Sequence, residues 1–147
     1  MDSYQQIAGL SISLPGPEIA DQLTDLLTKL SFSIGKQSFL VFKHNKYFTI
    51  ATKNIAFFHL KYDCTIITCF DGQEYTVDHS LEQIQSLLAQ QFFFRLNRQY
   101  LINFYAVKEA EHYFGRKLFV RLSITTQEKL IVSKEKVTCF LHWLENR

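Results

Sequence analysis

Glycine is scarce in this chain. Its five glycines, Gly9, Gly16, Gly35, Gly72 and Gly115, are too scattered to assemble a dinucleotide fingerprint or a phosphate-binding loop. A Gly-x-Ser-x-Gly nucleophile elbow is also missing. Cysteine is limited to Cys64, Cys69 and Cys139, an odd number without disulfide-framework spacing, which predicts free thiols in a reducing compartment. The opening Met1-Asp2-Ser3-Tyr4 does not lead a basic region into an apolar run, so no secretory signal is expected. No uncharged stretch approaches the about 20 apolar residues that cross a bilayer. Internal repeats and low-complexity segments are absent. A soluble, cytoplasmic protein with no membrane partner is the expectation.

Catalytic and metal constellations are equally thin. Cys64, Cys69 and His59 have the chemistry of ligands, but positions 64 and 69 differ by an odd number and face opposite sides of one strand. A shared metal is therefore not expected, and the thiols read as core or surface groups. His44, His59, His79, His112 and His142 fall on different predicted elements, and no base pairs with a nucleophile. The sequence predicts neither an enzyme nor a cofactor.

What is present is apolar and aromatic. Of 147 residues, 47% are hydrophobic and 15% aromatic, including 14 Phe and 7 Tyr, a mixture that favours strands over helices. That length makes one domain with a core of its own. The net charge of +2 is unevenly spread. Residues 1–36 hold Lys29 and Lys36 against Asp2, Glu18, Asp21 and Asp25, net −2, which leaves +4 on the remainder. This modest excess permits phosphate contacts without demanding them.

Residues 1–14 show no sustained period and read as a linker or poorly ordered lead-in. Pro17 suits a first helical position, and Ile19, Ala20, Leu23, Leu26, Leu27 and Leu30 follow at helical spacing, predicting a helix over about 17–30 with a loop over 31–36. From Gln37 the period becomes two. Runs at 38–43 and 46–51 flank a turn at His44-Asn45, and runs at 55–60 and 65–70 flank Lys61-Tyr62-Asp63-Cys64. Asp71-Gly72 is the strongest hairpin signal, leading to a strand over 74–78. Ser80 and Gln83 form a capping-box start for a helix ending near Ala89. Strands over 105–113 and 117–123 meet at Phe114-Gly115-Arg116, and a short strand covers 128–132. Ser133 is placed to cap a last helix with Val137, Phe140, Leu141 and Leu144 on one face and Trp143 beside it.

The informative stretch runs from Gln91 to Asn103. Phe94, Leu96, Tyr100, Leu101 and Ile102 suit a core, while Arg95, Asn97, Arg98, Gln99 and Asn103 leave five hydrogen-bonding side chains among them. An Arg fork fits phosphate or guanine O6/N7, and Asn and Gln carry the donor and acceptor pair that fits adenine. Beside this nucleic-acid reading stands a plainer one, an amphipathic strand and turn whose polar groups are only solvated.

The segment resembles the signature of the LytTR DNA-binding domains, the output modules of LytR/AlgR-type bacterial response regulators, typically Phe-x-Arg-x-His-Arg-Ser-Tyr-Leu-Val-Asn. Phe93 or Phe94, Arg95, Arg98, Tyr100, Leu101, Ile102 and Asn103 match it, whereas Asn97 replaces His and Gln99 replaces Ser. Residues 54–72 and 130–137 are similar in the same order, and the likeness covers roughly 37–144. The resemblance implies a mainly β (α+β) fold of elongated antiparallel sheets with short helices, a LytTR-like domain over 37–147 behind a linker helix in 1–36. It implies loops and strand ends that enter successive major grooves of double-stranded DNA. Carried over residue by residue, the contacts are Lys61, Tyr62, Asp63 and Thr65, then Asn97, Arg98 and Gln99, then Ser133, Lys134 and Lys136. Arg95, Tyr100 and Asn103 take the supporting positions. Glu135 departs from the basic residue common in relatives and would repel a phosphate opposite it. The family implies sequence-specific transcription regulation, a receiver domain or sensor-kinase pathway as input, and a homodimer on DNA. The chain is too short to hold a receiver beside the LytTR-like part. A protein-interaction module on the same scaffold is the alternative, and RNA, stacked on aromatics such as Tyr62, a third.

Overall fold

The computed structural model describes residues 16–146, so the expectation for residues 1–14 lies outside it. These residues divide into two compact units, one ending at Ser33 and one beginning at Ile34. The first is helix α1, Pro17–Ile34, with Glu18 in its first turn favouring the positive end of the helix dipole. It is longer than the periodicity predicts, because Ser31 to Ile34 stay helical and the chain turns only at Gly35, where φ is +83°. Ile19, Leu23, Leu26 and Leu27 on α1 are exposed.

The second unit is built on a seven-stranded antiparallel sheet. Its strands are β1 (Ser38–Lys43), β2 (Lys46–Ala51), β3 (Ile55–Lys61), β4 (Cys64–Cys69), β5 (Glu74–Val77), β6 (Phe93–Arg95) and β7 (Tyr100–Asn103), in the order β2-β1-β5-β4-β3-β7-β6. A separate three-stranded sheet has the order β10-β9-β8, with β8 at Val107–Tyr113, β9 at Lys117–Leu122 and β10 at Leu130–Val132. Helix α2 (Leu81–Leu87) carries the predicted capping box: Ser80 Oγ accepts from the Gln83 amide and Gln83 Oε1 from the Ser80 amide. Helix α3 (Val137–Glu145) closes the chain.

Strand β3 is the spine, buried from Ile55 to His59. One face of the sheet packs Phe39, Val41, Ile55, Phe58, Ile67 and Leu101 against Leu81 and Ile84 of α2. The other packs Ala56, Phe57, Tyr100 and Ile102 against Leu118, Val120 and Leu130 of the small sheet and Phe140 and Trp143 of α3. Both faces are thus covered by apolar side chains, the largest favourable term available to a chain with this composition. A bulge between Ile55 and Phe57 puts Ile55 and Phe58 on one face despite their odd separation. Asn103 ends β7 buried, its amide donating to the Ile55 carbonyl at 2.8 Å and its oxygen accepting from the Tyr105 amide at 2.9 Å. Cys69 is buried and Cys64 exposed, and burial, aided by Asp71, pushes the Cys69 thiol up to about 11.

Candidate nucleic-acid interface

Three short segments project from the ends of these strands. The first is the β3–β4 turn, where Tyr62 and Asp63 both take left-handed conformations, φ 52° and 61°. Two such residues between paired Lys61 and Cys64 make the tight turn whose twist matches a hairpin. Asp tolerates this conformation and Tyr does not favour it, yet Tyr62 is 90% exposed, with Lys61 Nζ 6.0 Å from its ring centroid. A costly backbone holds an aromatic and an acid out in solvent. Thr65 requires a correction. It is 4% exposed, paired with Leu60 and Val77, so its side chain lies below the surface that Tyr62 and Asp63 present.

The second segment is the loop from Leu96 to Gln99 between β6 and β7. Arg95, half-buried, shapes it: Nε donates to the Asn97 carbonyl at 2.7 Å and Nη2 to the Arg98 carbonyl at 2.6 Å, while Glu82 on α2 lies 3.3 Å from the guanidinium. The Glu82 carboxyl is held below its usual range, first by its own backbone amide and then by Arg95. Asn97 Oδ1 accepts from the amides of Gln99, at 2.8 Å, and Tyr100, at 2.9 Å. Its oxygen therefore belongs to the loop, and the amide nitrogen is the end able to donate outward. Arg98 and Gln99, both exposed, are carried on the outside.

The third segment is Ser133 to Lys136. Ser133 does not cap α3 as the sequence predicts. It makes no side-chain capping bond, and a 3₁₀ turn over Lys134–Lys136, closed by the Lys136 amide on the Ser133 carbonyl at 2.9 Å, precedes the helix. Lys134 and Glu135 are exposed, and Ser133 and Lys136 are half-buried.

Two contacts bring the segments together. The Leu60 amide, next to Lys61, donates to the Gln99 carbonyl at 3.0 Å, joining the first to the second. Lys136 Nζ reaches the Arg95 carbonyl at 3.5 Å, joining the second to the third. Between them the three segments carry the cations Lys61, Arg98, Lys134 and Lys136 and the acids Asp63 and Glu135. Arg121 is not a further free cation, because Glu111 at 2.8 Å and Glu109 at 3.3 Å engage it and raise its pKa. The sequence reading had no signal for the Leu60–Gln99 link or for the commitment of the Asn97 oxygen, since both depend on which strands become neighbours.

Comparison with known proteins bears on the family and the fold. The model of the LytTr DNA-binding domain matches residues 45–145. Among solved structures, the LytTr DNA-binding domain of a Bacillus cereus protein described as a methyl-accepting/DNA response regulator superposes with a TM-score of 0.65 at 17% identity, over 75% of this chain and 98% of that one. No curated protein matches. At that identity the superposition speaks for the fold, and the family follows from the match over 45–145, well over half the sequence. The chain belongs to the LytTR DNA-binding domain family.

Proposed function

We propose that residues 37–147 read specific sequences in duplex DNA as the output part of a bacterial response regulator, with residues 1–36 as the linker from its input. The observation that carries this reading is the convergence of the Tyr62-Asp63 turn, the Asn97–Gln99 loop and the Ser133–Lys136 turn, tied through Leu60 to Gln99 and Lys136 to Arg95. In this reading Arg98 donates to a guanine edge and Gln99 and the Asn97 amide nitrogen reach neighbouring bases. Lys61, Lys134 and Lys136 neutralise phosphates, and the Ser133 hydroxyl donates to one. Such contacts need side chains and amides alone. DNA as ligand places the protein in the cytoplasm, a phosphorelay ending in a receiver domain supplies the input, and a second copy on an adjacent repeat completes the site. Selection of bound duplexes from a random pool tests the proposal: enrichment of one short repeated motif supports it, and recovery of no preferred sequence contradicts it.

The exposed acids Asp63 and Glu135 favour a second reading, an interaction module that takes a protein instead of DNA. Salt separates the two, because a binder making several phosphate contacts loses affinity linearly in log salt. Competition by single-stranded RNA, which could stack on Tyr62, separates the third.

A further inference from the structure

Among the described residues the two sheets end in four edge strands, β2 and β6 in the larger and β8 and β10 in the smaller. An open edge offers unpaired N–H and C=O groups to any extended chain, and proteins blunt it with shortness, charge or a bulge. β6 and β10 are only three residues long. β8 exposes Lys108, Glu109 and Glu111 and bulges between Val107 and Glu109. β2 has none of these protections. After Lys46 it reads Tyr-Phe-Thr-Ile-Ala, without charge, Gly or Pro, and its register with β1 is unbroken.

Which groups of β2 are free follows from the turn before it. His44 and Asn45 both take left-handed φ, 53° and 60°, between the paired Lys43 and Lys46, a two-residue hairpin whose closing pair is hydrogen-bonded. Alternate residues then bond to β1, so Lys46, Phe48 and Ile50 turn their backbone groups to it. The same parity continues past the strand, where the Thr52 amide donates to the Gln37 carbonyl at 2.9 Å. Tyr47 and Thr49 therefore point both N–H and C=O outward, and Ala51 its N–H, its carbonyl being taken by the 3₁₀ turn that follows. Among the described residues no other strand or side chain bonds to these groups. Their side chains share the outward face with Leu40 and Phe42, and the patch is apolar: Leu40 is 60% exposed, Phe42 49% and Tyr47 71%, with the Phe42 and Tyr47 rings 4.8 Å apart.

We propose that β2 is a pairing edge for a second copy of this chain, the two β2 strands running antiparallel about a two-fold axis at Thr49 and joining two seven-stranded sheets into one. In that register Thr49 faces Thr49 of the second copy and exchanges both backbone bonds with it. At each end the Ala51 amide donates to the Tyr47 carbonyl, and the Tyr47 amide meets the second lone pair of the Ala51 carbonyl. Every outward group of the edge is thus paired. The side chains fit the same register, with a Thr–Thr pair at the centre and the large Tyr47 ring beside the small Ala51 across each end of the seam. Lys46, the one charge of the strand, stands at opposite ends of the seam, whereas parallel pairing would set the two lysines side by side. This match of β2 to its own reversed sequence selects a second copy over a foreign strand. The pairing requires no DNA, so it is separate from the dimer that adjacent repeats would assemble.

Sedimentation equilibrium of the full chain without DNA, across a concentration series, tests the edge. A mass that rises from one chain to two is expected. Amide hydrogen exchange at Thr49 and Ala51 should slow as the dimer forms, while Phe48 and Ile50, already bonded to β1, change little. Thr49→Pro removes the two central donors, one from each copy, and should raise the dimer dissociation constant about tenfold or more. Proline is accepted at an edge position whose N–H faces away from the neighbouring strand, so the hairpin with β1 should survive. Thr49→Lys, which keeps the backbone donor, sets two like charges face to face and should also weaken the dimer, and Thr49→Val should keep it. A single-chain mass at every concentration, a dimer unchanged by both Thr49→Pro and Thr49→Lys, or Thr49 exchange independent of concentration would each overturn the proposal.

Discussion

Arg95 and Arg98 stand three residues apart and do opposite things. Arg95 spends its guanidinium on the carbonyls of Asn97 and Arg98, and Arg98 hangs outside the loop that Arg95 holds. Arg98→Ala should therefore leave the melt within about 0.5 kcal/mol, the usual range for surface changes. It should cost about 1–3 kcal/mol on the preferred duplex and flatten discrimination at one base position. Arg95→Ala strands two carbonyls, so it should lower folding stability by about 1–3 kcal/mol and weaken duplex binding only by loosening the loop. Thermal melts beside duplex titrations distinguish them. A collapsed melt for Arg98→Ala, with the folded fraction binding normally, would exchange their roles and favour the interaction module. The sequence made Arg95 a supporting residue only through its family position; two arginines in one polar run look alike until the loop is closed.

His59 carries a pH prediction at the same scale. Its folded-state pKa is lowered, chiefly by burial, so the unfolded chain takes up the proton first. The stability that follows is fully present above the unfolded value of about 6.5 and is lost as pH falls through the folded one. Chemical denaturation between pH 7.5 and 5.5 should show a decline that is smaller in His59→Gln than in the parent; equal slopes would remove His59 as its source.

At the scale of elements, the β3–β4 turn is the place where stability has been exchanged for display. Both turn residues take left-handed φ, the geometry that Asn-Gly supplies with least strain. Replacing Tyr62-Asp63 by Asn-Gly should raise stability by about 1 kcal/mol. The same change should reduce duplex affinity, because the exposed ring and carboxylate are removed while the hairpin is kept. Lower stability would show that the Tyr62 side chain serves the fold.

Much of this level was legible. Strands form over most of the runs read as strands, Asp71-Gly72 joins β4 to β5 with Gly72 at φ +87°, and the Ser80–Gln83 box starts α2. What was not legible depends on partners far away in sequence. The bulge in β3 breaks the parity rule on which face assignment rests. Thr65 is buried because β5 and β3 flank β4, an order no local pattern states. Ser133 fails as a cap because a 3₁₀ turn intervenes, and α1 outruns its prediction because Gly35, four residues past the last predicted loop start, is where φ turns positive.

For the whole molecule the decisive property is how a net charge of only +2 meets a polyanion. Among the described residues Arg95 and Arg121 are held by acids, so attraction to phosphate falls to a few cations such as the exposed Arg98 and Lys134 and the half-buried Lys61 and Lys136. Lys134→Ala should weaken binding to all duplexes alike and lower the magnitude of the salt slope by about one. On the proposed reading one copy contacts few base pairs, so two suitably spaced repeats should bind better than one, because the first copy raises the effective concentration of the second; equal affinity for both would count against pairing. The most direct measurement of the central claim is the affinity for the selected duplex across a salt series. A straight fall of log affinity with log salt, with a slope of about −0.9 for each phosphate engaged and reduced by Lys134→Ala, is the predicted result. A flat line, with Lys134→Ala unchanged, would contradict it.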